Sequence, residues 1–145
     1  MNRYVRSIPF NMIHVCIDDY NGYQIGGRAY NNTIESPILF SDIQDLILKM
    51  DDIFNRNGNP QSSQVKRTFQ GKTPTYGYQN KPKVLNDFEQ FLKIHGKILD
   101  IDVVVKSRGK STWQGSVLYQ NEEIQFQTLL DFIKIIEGKL IEKNE

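Results

Sequence analysis

Apolar and polar residues alternate from Ile13 to Ile17 and again from Ile101 to Val105, with Ile13, Val15 and Ile17 matched by Ile101, Val103 and Val105. A period of two predicts strands with one buried face. Each is followed by a glycine-containing turn, Asn21-Gly22 in the first case and Arg108-Gly109-Lys110 in the second. A second strand comes next, Ile25–Tyr30 and Trp113–Gln120, so each pair predicts a hairpin. Ile38-Leu39-Phe40 and Ile124-Gln125-Phe126 predict short third strands. The period then changes to that of a helix. Ile43, Leu46, Ile47, Met50 and Phe54 share one helical face, and Leu129, Phe132, Ile133, Ile136 and Leu140 fill the same slots. Asp45 and Asp131 also coincide, and Ser41 with Gln44 predicts a capping box ahead of the first helix.

This repetition predicts an α+β fold of two tandem βββα repeats, about 11–55 and about 97–142, within a single domain over 1–145. The economical packing is one antiparallel sheet with both helices on one face. The competing view is that two unrelated stretches look alike because all amphipathic hairpins and helices do. Leu85, Phe88, Phe91 and Leu92 predict an added helix over about 85–95, with Asn86 as its cap and Gly96 at its end. Residues 1–10 have no clear period and read as an arm.

Charge changes the picture in one place. The net charge of the 145 residues is only +1, but Arg56, Lys66, Arg67, Lys72, Lys81 and Lys83 lie between Asn55 and Asn86 with no acid among them. Gly58, Pro60, Gly71, Pro74, Gly77 and Pro82 share the stretch, so residues 56–83 read as a basic linker. Cys16 is the single cysteine, which excludes an intramolecular disulfide and fits a reducing, cytoplasmic setting. No stretch approaches the roughly 20 apolar residues that span a bilayer, and Arg3, Arg6 and Pro9 interrupt any leader-like run, so no membrane role is expected. The Asn31-Asn32-Thr33 sequon would matter only in a secreted chain.

With the helices on one face, alternation assigns the other face of the sheet to His14, Cys16, Asp18, Arg28 and Tyr30, and to Asp102, Val104, Lys106, Gln114, Ser116 and Leu118. His14, Cys16 and Asp18 form a row on one strand that could address a metal, with His95 as a further ligand. A structural zinc site usually draws more cysteine or histidine, so no metal and no cofactor is expected. No arrangement of nucleophile, base and oxyanion donor is apparent, so no catalytic residue is assigned. Trp113 takes the slot of Ile25 and is expected in the core, which leaves its neighbour Gln114 facing outward. Gly-Lys-Thr at 71–73 and Gly-Lys-Ser at 109–111 lack the first glycine of a phosphate-binding loop.

The binding candidates are therefore Arg28, Tyr30, Lys66, Arg67, Lys106 and Gln114. They fit a non-enzymatic protein-binding module, an inhibitor or adaptor that acts through an open sheet face on another protein or on itself. The alternative is binding of a nucleotide or nucleic acid, with Arg28 and Lys66-Arg67 on phosphate and Tyr30 stacked on a base. The plain reading of Arg28 and Tyr30 is a solvated pair on an edge. Gly27-Arg28-Ala29-Tyr30, and Thr112-Trp113-Gln114-Gly115 followed by an apolar helix, resemble a family of small uncharacterised proteins of Firmicutes bacteria. The likeness covers most of the chain and carries no catalytic residue or activity with it.

Overall fold

A computed structural model describes residues 11–22, 24–57, 88–108 and 113–144. Six strands form one antiparallel sheet: β1 (Met12–Tyr20), β2 (Ile25–Tyr30), β3 (Ile38–Phe40), β4 (Leu99–Ser107), β5 (Gln114–Tyr119) and β6 (Glu122–Phe126). Helix α1 (Ile43–Asn57) follows β3, the one-turn α2 (Phe88–Phe91) precedes β4, and α3 (Leu129–Asn144) follows β6. The spatial order β3-β2-β1-β4-β5-β6 joins two three-stranded meanders along the β1–β4 seam. At that seam Ile13 faces Val103 and Val15 faces Ile101, so the alternating apolar residues of both strands meet on one side.

That side holds the main core. Ile13, Val15, Ile17, Ile101, Val103 and Val105 pack with Leu46, Met50 and Phe54 of α1 and with Phe132, Ile136 and Leu140 of α3. Both helices therefore cover the same face, as their apolar stripes require. Trp113 is buried there, its ring 5.8 Å from that of Phe54 in an edge-on contact. Arg108, next to the expected turn, is also buried: it donates to Asp51 Oδ1 (2.6 Å) and Asn55 Oδ1 (2.9 Å) and lies over the Phe54 ring. It ties the end of β4 to α1, a role the turn assignment did not foresee.

The first helix is capped differently from expectation. Asp42, not Ser41, takes the Asp45 N–H (2.7 Å), and Asp45 accepts from the Ser41 N–H (3.2 Å). In α3 the Thr128 hydroxyl takes the Asp131 N–H (3.0 Å) and Asp131 accepts from Gln127 N–H (3.3 Å). The two coinciding aspartates thus do the same work, each carboxylate also sitting favourably at a helix N-terminus. Asn31 of the sequon is fully buried, with its amide donating to the Met12 carbonyl (2.9 Å).

The added helix ends earlier than expected. After Phe91 the chain leaves helical geometry through two turns, Lys93 N–H to the Gln90 carbonyl and Ile94 N–H to the Phe91 carbonyl. Residues 92–98 then run as a strap over β1, where the Ile98 N–H bonds the Ile17 carbonyl (2.9 Å). Gly96 does not end a helix but lies against β1, where a Cβ would stand 2.6 Å from the Ile17 nitrogen. Arg56, the first charge assigned to the linker, instead lies in the last turn of α1 and pairs with Asp52 (2.8 Å). Residues 1–10 and 58–87, which hold the arm and the rest of the basic linker and include Lys66, Arg67, Leu85 and Asn86, lie outside the described residues.

Two glycines mark where hairpin strands come too close for a side chain. A Cβ on Gly27 would stand 1.9 Å from the Cys16 carbonyl oxygen, and one on Gly115 would stand 1.9 Å from that of Val104. Gly138, by contrast, lies in α3 with nothing within 4 Å of an added Cβ. Gly138→Ala is expected to raise the unfolding free energy by about 0.5–1 kcal/mol in a urea titration. Gly27→Ala is expected to abolish a cooperative transition in the same titration.

Candidate functional site

The face of the sheet away from α1 and α3 is where the sequence places its polar and ionisable residues, and the assignment to that face is correct. The face is not open at its centre, however. The strap and α2 cover it: Phe91 packs with Met12, Val104 and Leu118, and the Tyr30 ring lies 5.2 Å from that of Phe91. The reason is that Met12, Val104 and Leu118 are apolar residues on a face that alternation alone would leave to solvent, and the added segment removes them from water.

His14 sits directly opposite Asp102 at the seam and is 1% exposed. Its Nδ1 lies 2.8 Å from Asp102 Oδ1 and its Nε2 lies 2.7 Å from the Ile94 carbonyl oxygen. A carbonyl can only accept, and so can an ionised carboxylate, so both ring nitrogens donate and the ring is an imidazolium. Burial is the largest single influence on it and opposes the charge. The hydrogen bond to Asp102, contact with the Cys16 thiol, the charge of Asp102 and the Ile94 carbonyl together outweigh burial and push the imidazole up to about 10. The Cys16 thiol, itself fully buried, donates to the same Ile94 carbonyl at 3.6 Å.

Arg28 makes the second clamp. Its Nε and Nη2 grip Asp18 at 3.0 and 3.2 Å, Nη1 donates to the Tyr30 hydroxyl (2.9 Å), and Nη2 donates to the His95 carbonyl of the strap (3.1 Å). Asp18 also accepts from the Lys97 N–H (2.9 Å). Burial works against the Asp18 charge, but Arg28 and the Lys97 N–H hold its carboxyl below the ordinary carboxylate range. The Arg28 guanidinium is in turn held firmly protonated, first by its hydrogen bond to Asp18. Asp18 reaches Arg28 because a bulge between Ile17 and Asp19 takes it out of the strand register.

The row His14, Cys16 and Asp18 is thus committed to the strap and to Arg28, and no group of three potential metal ligands occurs among the described residues. Of the binding candidates, Arg28 and Tyr30 come together. Lys106 and Gln114 are exposed at the far end of β4 and β5, where the Ser107 hydroxyl donates to Gln114 Oε1 (3.2 Å). Gln114 faces Ser107 and Arg28 faces Cys16, so the pairs occupy opposite corners of the sheet. Lys66 and Arg67 lie outside the described residues.

Beside Arg28 the surface opens into a groove of about 710 Å³, lined among others by Asp18, Asp19, Gly26, Arg28, Leu39 and Ser41. Gly26 supplies a floor without a side chain, and Leu39, 66% exposed, forms one wall. The Asp19 side chain is exposed and makes no hydrogen bond or ion pair among the described residues. The alternation of β2 placed Arg28 and Tyr30; the groove was missed because it depends on a missing side chain at Gly26 and on the bulge before Asp19. The neighbouring glycines in Ile25-Gly26-Gly27 were the signal for it.

The imidazolium links stability to pH with a definite sign. The folded value is raised above the ordinary 6.5, so the stabilisation is fully present below the unfolded value and is lost as pH rises through the folded one. Unfolding free energy from urea titrations should therefore fall between about pH 6.5 and 10 with the slope of one proton. In His14→Gln that slope should disappear, with a loss of roughly 3 kcal/mol at pH 6. Modification of Cys16 by a thiol reagent should accelerate in the same variant.

Compared with protein-family models, with curated proteins and with solved structures, the chain matches none.

Proposed function

We propose that the chain is a non-enzymatic protein-binding module, an intracellular adaptor or inhibitor, and that its binding surface is the uncovered flank of the sheet around β2 and β3. The observation that carries this reading is the disposition of side chains on that face. The groups capable of chemistry, His14, Cys16, Asp102, Asp18 and Arg28, are spent on one another and on the strap, while the flank beside them offers an unfilled groove and an exposed leucine. An exposed aliphatic side chain at the rim of a concave surface suits a partner protein better than a nucleotide. Arg28, the phosphate ligand of the alternative reading, has its charge balanced by Asp18 and three of its atoms already bonded.

Pairing of two copies through the β3 edge is a weaker route. β3 is only three residues long, Pro37 precedes it, and Lys49 from α1 donates to the Leu39 carbonyl (2.7 Å). Short edges, proline and lysine all discourage strand addition.

We also read the two halves as copies of one unit. Both hairpins carry a bulge at the same place, Ile17/Asp19 and Val105/Ser107, opposite Gly27 and Gly115. The third strands pair alike, Gly27 with Phe40 and Gly115 with Phe126, and the caps of α1 and α3 use the same geometry. On this reading His14 and Asp102 are equivalent residues that meet on the axis relating the copies.

A photo-crosslinking amino acid at position 39, introduced in the native host, is expected to trap one protein stoichiometrically, with excess wild-type chain competing and Leu39→Lys chain failing to compete. Trapping of a nucleic acid instead, or equal competition by both chains, would overturn the assignment.

A further inference from the structure

The glycine at position 26 is not required by the fold. A Cβ there would meet the Phe40 carbonyl oxygen at 3.5 Å and the Asp19 Cβ and Oδ2 at 3.7 and 3.8 Å, all ordinary contacts. The other hairpin makes the comparison directly. Gly26 pairs with Asp19 just past the bulge of β1, and in the same slot past the bulge of β4, Gln114 pairs with Ser107 and carries its side chain into solvent. A glycine inside a strand weakens it relative to alanine or a β-branched residue. At position 26 that penalty has one visible effect: it leaves the groove empty.

What the groove holds identifies its occupant. Of its three charged groups, Asp18 and Arg28 neutralise each other, which leaves the Asp19 carboxylate as the net charge, with no partner among the described residues. Its oxygen stands over the glycine floor, and the exposed Leu39 forms the opposite wall. A negative charge at one end of a trough and an aliphatic wall along it match a cation on a flexible aliphatic stem.

Resting on the protein-binding reading, we propose that this groove receives a lysine side chain of the partner, its ammonium on Asp19 and its methylenes across Gly26 against Leu39. The partner segment is therefore a basic one. Arg28 does not take part in the charge recognition; its work is to hold Asp18, so that Asp19 alone faces the incoming cation.

The test uses the full chain, labelled for NMR, with three six-residue peptides in which alanine alternates with lysine, glutamate or serine. The lysine peptide is expected to shift the amide signals of residues 18–28 and 39–41, with an affinity that weakens as salt is raised. Asp19→Asn should weaken it by roughly tenfold or more. Gly26→Val should abolish the shifts while raising the Tm by about 2 °C or more, since a β-branched residue strengthens the strand as it fills the trough. Binding unchanged in Gly26→Val overturns the proposal. If all three peptides bind the groove equally, the lysine inference falls and the protein-binding reading stands. If none perturbs it at millimolar concentration, both fall.

Discussion

The antiparallel pairing of β1 with β4 is the constraint on which the rest of the molecule rests. It makes one sheet of two three-stranded meanders and brings both apolar rows to the same side, so that α1 and α3 share a core. It also brings His14 against Asp102 on the other side, at the centre of the sheet. A buried imidazolium needs acceptors at both nitrogens, and the second comes from Ile94. The seam therefore dictates where the strap must lie, and the strap dictates which parts of the polar face remain free.

The apolar periodicity carried most of the architecture. Ile13-Val15-Ile17, Ile101-Val103-Val105 and the helix stripes were legible because each repeats with the period of its element, and so was the burial of Trp113 through its shared slot with Ile25. The cap at Asp42 is not legible because Ser41 and Asp42 are both good caps, and only the geometry at the end of β3 selects between them. Arg108 looks like a turn residue in the sequence because arginine beside glycine is ordinary turn composition. Its partners Asp51 and Asn55 are brought to it by tertiary packing, which leaves no local mark in sequence.

The polar face shows the same division. Alternation placed His14, Cys16, Arg28 and Tyr30 on it correctly. Val104 and Leu118 among its slots hinted at a cover, but nothing showed that the strap would bond to His14, Asp18 and Arg28, because those contacts of Ile94, His95 and Lys97 are made by backbone atoms, which every residue has. Side-chain chemistry leaves a trace in sequence; backbone carbonyls and N–H groups do not. The groove was hidden for a related reason, since it is made by an absence at Gly26 and by a bulge that moves Asp18 out of register.

The seam has a kinetic side as well. Hairpin partners lie close together along the chain, whereas His14 and Asp102 are separated by 88 residues. Closing so long a loop carries a larger entropic penalty than closing the local hairpins, so each meander should form before the two dock. Docking is also the event that takes His14 out of water. Until then its imidazole titrates as it does in an unfolded chain, so above neutrality the joining of the halves includes the uptake of a proton from solvent.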